Sequence, residues 1–363
     1  MSAPMQNARA AKPVLIMAGG TGGHIFPGIA VADELRARGV PVVWLGAHGG
    51  LETRLVPQHD LPIETIAIRG LRRKGLLTKL AMPVRLARAV IAARSVLKRH
   101  APRSVLSMGG YAAAPGGIAA RLLKIPLVVH EQNRVAGVTN RMLARYARRV
   151  LTGFSGVFPN EQWVGNPVRA SIAALPGPVR RYAEHAGPLR LLVLGGSQGA
   201  QSLNSALPEV LRRRGSKLAV VVRHQCGEAH YDKARAAYHS AGIEADVVPF
   251  EKDMAGAYAW ADLVICRAGA LTLAELAAAG APAILVPYPH AVDDHQTRNA
   301  QAMVAAGGAR LVAEGEDFVR RLGAEFEALG ERAKLIPMGV AARSLAKPDA
   351  AAHIADVCLE VTA

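Results

Sequence analysis

The sequence predicts an α/β chain built from two doubly wound domains, and three observations predict it. Short, continuously apolar runs alternate with longer helical stretches. Strands apolar on both faces suit a parallel sheet covered by helices on both sides. The pattern starts twice: VLIMAGGTGG over 14–23 and LLVLGGSQG over 191–199 both read strand, Gly-Gly, hydroxyl residue, Gly, helix. At 363 residues and 51% apolar side chains, the chain is long enough for two cores. The restart marks two domains of one architecture, not a short-period repeat.

In the first half the expected strands cover 14–17, 42–45, 105–108 and 127–130. A helix is expected over about 27–38, opened by Pro27. In the second half, strands are expected at 191–194, 218–222, 246–249, 263–266 and 283–286, with a helix near 203–213. Residues 166–188 hold several Pro and Gly and read as a linker. A last helix over about 350–359 is expected to pack back on the first domain. The predicted domains are 1–167, joined by a C-terminal helix within 345–363, and 168–344.

The formal net charge is +16 and the pI about 10.3. Such charge favours polyanions: nucleic acid, an anionic bilayer or phosphorylated substrates. Only 4% of residues are aromatic, against the stacking platforms of single-strand nucleic-acid binders. Cys226, Cys266 and Cys358 lie far apart, with no CxxC pair. Neither a disulfide framework nor a zinc site is expected, and a reducing compartment is the default. Residues 1–12 lack the apolar core of a secretory signal, and no apolar run is long enough for a membrane span, so any membrane contact is expected to be peripheral.

Three glycine loops follow strands: 18–24, 108–111 and 195–199. Glycine lets the backbone turn sharply and approach a ligand, and the helix behind presents free N–H groups to an anion. Three such loops in one chain point to anion or diphosphate binding. No Gly-Lys-Ser/Thr occurs, which excludes a P-loop, and Ile25 stands where G-x-G-x-x-G needs its third glycine. That weakens the reading as an NAD-dependent oxidoreductase.

His24 ends the first loop at a helix start, where a neutral imidazole can act as a general base; a histidine that only bonds the loop fits the position equally. HEQN over 130–133 follows a strand directly, where an open α/β sheet forms its crevice. Arg169, at the start of the linker, suits a diphosphate clamp. Thr272 and Glu275 have capping-box spacing, and Glu275 also suits ribose hydroxyls. Asp293, Asp294 and His295 crowd one loop, but the chain has no D-x-D motif, so no metal site is expected.

Taken together, AGGTGGHIFPG, GGY, HEQN, GNPVR, GGSQGA, CRAGALTLAE and HQTRNA, in that order from Ala18 to Ala300, resemble the MurG glycosyltransferases. The resemblance implies a GT-B fold, two Rossmann-like domains facing a cleft. It implies transfer of N-acetylglucosamine (GlcNAc) from UDP-GlcNAc to lipid I, the undecaprenyl-diphospho-muramyl-pentapeptide. The product is lipid II, made at the cytoplasmic face of the inner membrane for peptidoglycan synthesis. Inversion at the anomeric carbon, with no cofactor and no bound metal, is implied too. By position, Thr21, Gly22, Gly23, Asn133, Arg169 and Ser197 contribute to the donor site. Met254 lies near uracil. Ala270, Leu271, Thr272, Leu273, Ala274 and Glu275 line the nucleoside, with Glu275 on the ribose. Gln296 touches the donor sugar or phosphates, and His24 matches the general base. Ala268 and Ala274 stand where some relatives have serine, and GYAAAPGG is a looser form of the second loop.

The stretch 69–82 mixes Arg72, Arg73, Lys74 and Lys79 with Leu76, Leu77, Leu80 and Met82, and reads as a contact with an anionic membrane. A solvated helix face is the alternative. A nucleic-acid binder would use the charge but leave the glycine loops without a role, so no nucleic-acid partner is expected. A GT-B enzyme with another glycolipid acceptor is the remaining rival.

Overall fold

The computed structural model describes residues 12–68, 82–196, 199–215 and 219–361. Ser197 and the segment 69–81, both singled out above, lie outside the described residues. The chain divides into two compact units: one runs to Pro167 and resumes at Asp349, the other spans Val168–Pro348.

The first unit is built on seven strands: β1 Val14–Ala18, β2 Val42–Ala47, β3 Ile63–Ile66, β4 Ser104–Gly109, β5 Leu127–Glu131, β6 Arg149–Thr152 and β7 Gln162–Trp163. Their order is β3-β2-β1-β4-β5-β6-β7, and every pairing is parallel. All residues of β1, β2, β4 and β5 are buried, as double-sided cover requires. On one face lie the helices Met82–His100, Ala113–Leu122 and Val138–Ala144, with Ala93, Ala120 and Leu143 packed against Leu15, Met17 and Val129. On the other lie Gly22–Ala37 and Ala350–Glu360, the latter burying Ile354, Ala355 and Cys358. Ser104 Oγ donates to Cys358 O at 2.7 Å, fixing that last helix to β4.

The second unit has six strands: β8 Leu189–Leu194, β9 Val220–Gln225, β10 Ala245–Val248, β11 Leu263–Cys266, β12 Ala283–Leu285 and β13 Ala309–Leu311. Their order is β10-β9-β8-β11-β12-β13, again wholly parallel. Counted within each unit, both sheets run 3-2-1-4-5-6, the doubly wound order, with a seventh strand added at the edge of the first. Strand order reverses between β1 and β4 and between β8 and β11, and loops outside such switch points are where ligands bind.

Three details differ from expectation. The first helix begins at Gly22, not Pro27: Thr21 is extended at the N-cap and Pro27 lies inside the helix. The chain turns at Gly20 straight out of β1, leaving no room for a longer loop. Residues 168–188 are no open linker. They form the short helices Ala170–Ala173 and Pro178–Ala183 within the second unit. Buried Arg181 donates to Ala279 O at 2.5 Å and Gly280 O at 3.0 Å, satisfying carbonyls at a helix end. Strands β3, β6, β7 and β13 are additional. They are short and partly exposed, so they carry no continuous apolar run.

Candidate active site

In the first unit, the loops after β1 and β4 meet. A Cβ added to Gly110 would stand 2.5 Å from Gly19 O, so only glycine lets these backbones touch, and its φ of +94° favours glycine as well. The joint surface carries Thr21, Gly23, His24 and the exposed Tyr111, with Gly22 buried between Thr21 and Gly23. Thr21 does not cap the helix with its side chain, and the first-turn amides of Gly22 and Gly23 have no intrahelical acceptor.

Beneath this loop lies Glu52, almost fully buried. Its carboxylate accepts from Gly20 N at 3.0 Å and Ala47 N at 2.9 Å. Side chains at Gly19, Gly46 or Gly50 would collide with it. One loop amide is thus already taken by a protein carboxylate, which the sequence reading of an anion cradle did not foresee.

The four polar residues at the end of β5, the last two of them beyond the strand, divide their tasks. Glu131 is buried and pins the loop, accepting from Asn133 N, Asn133 Nδ2, Gly137 N and Asn140 Nδ2 at 3.0–3.2 Å. Gln132 reaches back to His24, with Oε1 2.8 Å from Nδ1. Asn133 is thereby held beside the glycine loops, and His24 packs on Gly109.

In the second unit, the helix Ala270–Ala279 starts at the end of β11 with Gly269 as an extended N-cap and no side-chain cap. Its first-turn amides at Ala270, Leu271 and Thr272 are free of intrahelical partners. Thr272 lies three residues inside the helix, so the capping-box reading is corrected: the cap is Gly269. Glu275 is instead turned into the protein, where Oε1 accepts from Arg169 Nη2 at 2.7 Å and Oε2 from Tyr258 OH at 3.2 Å. Burial pushes its carboxyl above the usual range, against the pull of Arg169 and Tyr258. Tyr258 belongs to the helix Met254–Trp260, capped by Asp253 accepting from Gly256 N at 2.9 Å. Met254 lies one turn before Tyr258 on the same face. Glu275 therefore joins Arg169 to Tyr258, and Met254 opens the helix that carries Tyr258.

Arg267, which the sequence offers within CRAGALTLAE without a role of its own, joins the surrounding loops. It donates to Val286 O, Pro287 O and Ser202 Oγ at 3.2, 3.3 and 3.0 Å, and pairs with Glu314. Its guanidinium also lies over the Tyr288 ring, 5.4 Å from the centroid. Gln296, in the first turn of His295–Ala305, accepts from Tyr288 N at 2.9 Å. Leu273 is buried and Ala274 half-buried along the same helix as Glu275. Among the described residues, no three His, Cys, Asp or Glu side chains gather in a metal-holding cluster.

Known proteins resemble this chain in sequence and fold. Residues 14–152 match the glycosyltransferase family 28 N-terminal domain and residues 190–354 the family 28 C-terminal domain. A protein of Xanthomonas axonopodis pv. citri (strain 306) is 60% identical over 96% of this chain and 82% of its own length. It is named UDP-N-acetylglucosamine--N-acetylmuramyl-(pentapeptide) pyrophosphoryl-undecaprenol N-acetylglucosamine transferase. A protein of the same name from Xylella fastidiosa (strain M12) is 58% identical over 96% of both chains. The crystal structure of Acinetobacter baumannii MurG superposes with a TM-score of 0.83 at 40% identity, covering 96% of this chain and all of that one. Two Rossmann-like domains with these matches define the class, a glycosyltransferase of the GT-B fold. Within that class, the chain belongs to the MurG family.

Proposed function

We propose that the chain transfers GlcNAc from UDP-GlcNAc to the C4 hydroxyl of the muramyl sugar in lipid I, forming lipid II. The observation that carries this reading is the 60% identity, over 96% of the chain, with a relative named for that transfer. The local geometry supports a division of labour. The second unit offers the donor an uncapped helix start at Ala270, a buried carboxylate at Glu275 for ribose, and Met254 for the base. Gln296 and Ser197 complete the donor contacts, with Arg169 holding Glu275 in place. The first unit offers Thr21, Gly22, Gly23, His24 and Asn133.

The reaction is a single displacement with inversion. The acceptor oxygen bonds to the GlcNAc anomeric carbon as the bond to the UDP oxygen breaks. His24 Nε2 takes the hydroxyl proton, a role with a typical rate contribution of roughly 10²–10⁴. Charge developing on UDP meets main-chain amides and the positive end of the helix Ala270–Ala279, so no metal is required.

The acceptor's lipid calls for a membrane surface, and the first unit has a suitable one. No described helix is long and apolar enough to cross a membrane. The three neighbouring helices on one face of the first sheet expose Val84, Ile91, Leu122 and Val138. Arg85, Arg88, Arg94 and Lys98 lie exposed on the first of them. Between residues 82 and 150 the only acid is the buried Glu131. Apolar side chains among unopposed cations suit peripheral binding to an anionic, cytoplasmic membrane face.

Calorimetric titration with UDP-GlcNAc tests the donor assignment. Wild-type and His24→Ala chains are expected to bind alike, and Glu275→Ala to bind at least about tenfold more weakly, roughly 1.4 kcal/mol. No binding by the wild type, or equal binding by Glu275→Ala, overturns it.

A further inference from the structure

Three side chains of the first unit form one hydrogen-bonded line. His130 Nε2 lies 2.9 Å from Gly165 O. Gln132 Nε2 lies 3.0 Å from both His130 Nδ1 and His130 O. Gln132 Oε1 lies 2.8 Å from His24 Nδ1. The line is anchored on two backbone carbonyls, which can only accept, and this fixes every proton along it.

Gly165 O requires a proton on His130 Nε2. His130 is fully buried, and that burial lowers its pKa to about 4, so the ring is neutral and its Nδ1 holds a lone pair. The group facing that lone pair must donate, and it is the Gln132 amide nitrogen, whose second hydrogen goes to His130 O. The amide cannot be flipped without setting its oxygen against both acceptors. Its oxygen is thereby turned to His24 and must receive a proton from Nδ1. A neutral His24 then keeps its lone pair on Nε2, to which nothing among the described residues is bonded.

We propose that Gln132 and His130 are positioning residues that hold His24 as the Nδ1–H tautomer, presenting the Nε2 lone pair to the acceptor hydroxyl. The catalytic part of this inference rests on the reading of His24 as the base; the tautomer does not. In water, neutral histidine favours the proton on Nε2, the form that cannot use that atom as a base. A bond to the far nitrogen is what selects the other form. In a serine-protease triad a carboxylate orients the imidazole and also stabilises its charged form. Here a neutral amide orients the ring and adds no charge. The nearby carboxylates are committed elsewhere: Glu131 to the amides of its own loop, and Glu52 to Gly20 N and Ala47 N. Tyr111 and His130 are titratable groups that also lie at this corner.

The test combines nitrogen NMR of the ¹⁵N-histidine-labelled full chain with kcat–pH profiles for wild type, Gln132→Met, Gln132→Glu and His24→Ala. The wild-type spectrum at alkaline pH should report a protonated Nδ1 and a bare Nε2 for His24, assigned by its loss in His24→Ala. Gln132→Met should release the ring to the Nε2–H form and lower kcat at least about tenfold, with little change in KM for UDP-GlcNAc. Gln132→Glu should move the acidic limb of kcat to higher pH by about one unit or more, because a carboxylate favours the imidazolium. A purely structural role for Gln132 would leave the His24 tautomer of Gln132→Met as in wild type. A wild-type His24 carrying its proton on Nε2 overturns the proposal even if neither Gln132 variant folds. So does a Gln132→Glu profile identical to wild type in an enzyme that His24→Ala inactivates. Full turnover by His24→Ala refutes the base reading instead, leaving the spectrum to decide the tautomer.

Discussion

Arg169 and Glu275, 106 residues apart in sequence, are bonded at 2.7 Å, and the carboxylate is buried while the guanidinium is partly open to solvent. Both are assigned to the donor site, yet in this structure each is the other's partner. Arg169→Ala would leave a buried carboxylate with only Tyr258. The expected loss is about 1–3 kcal/mol of stability near neutral pH. The sign with pH follows from the direction of the Glu275 shift. Its carboxyl is raised by burial, so the penalty is present where it is ionised and relieved as pH falls through the folded value. Thermal melts from about pH 8 to about pH 5 should show the deficit of Arg169→Ala shrinking toward acid. A deficit that grows toward acid would falsify this account of the pair.

Gly110 and Gly19 carry a second prediction. Gly110→Ala forces a methyl group against the Gly19 carbonyl and strains a positive φ. The two loops must separate, and the surface bearing Thr21 and His24 shifts with them. The expected outcome is a drop of about 100-fold in kcat, the cost of misplacing a reacting group by roughly 1 Å. UDP-GlcNAc affinity, measured by titration, should change far less, because its main contacts are assigned to the second unit.

Asp262 sets acid stability in the second unit. It is fully buried. Oδ1 accepts from His185 Nδ1 at 2.6 Å, and Oδ2 from Arg190 N at 2.9 Å and from Arg332 at 2.8 and 3.0 Å. Burial alone would raise its carboxyl, but the bonds from Arg332, His185 and Arg190 outweigh it and hold it below the usual range. This stability is therefore present above the unfolded carboxylate range and lost as pH falls through the lower folded value. Asp262→Asn should cost about 3 kcal/mol at neutral pH, measured by denaturant unfolding, with the difference from wild type closing in strong acid.

Charge reversal on the first-unit helix Met82–His100 tests the membrane face. Each basic residue near an anionic surface contributes about 1 kcal/mol, so Arg85→Glu, Arg88→Glu and Arg94→Glu together should weaken vesicle binding at least about 100-fold. Sedimentation with phosphatidylglycerol vesicles measures this. Turnover of a water-soluble acceptor analogue should be retained. Unchanged sedimentation means that another surface binds the bilayer.

The sheets were legible because inner strands such as Leu263–Cys266 and Val14–Ala18 are buried on both faces, and such burial leaves unbroken apolar runs. The edge strands were not, since Gln162–Trp163 is exposed throughout and carries no such run. The glycine loops announced the switch points, because a turn straight from strand to helix needs glycine at Gly20 and Gly110. The supports behind them left no local trace. Glu52 is 32 residues from the amide it holds, and Gln132 is 108 residues from His24. Only folding makes those pairs. Thr272 misled for the opposite reason: a local spacing matched a cap, while the chain's actual turn into the helix placed Gly269 there.

The most direct measurement is a transfer assay with radiolabelled UDP-GlcNAc and a short-chain lipid I analogue, run with and without EDTA, with the product's linkage read by NMR. The account predicts a β-linked disaccharide product formed at the same rate under both conditions. Failure to label the acceptor, an α-linked product, or activity lost to the chelator and restored by a divalent cation would contradict it.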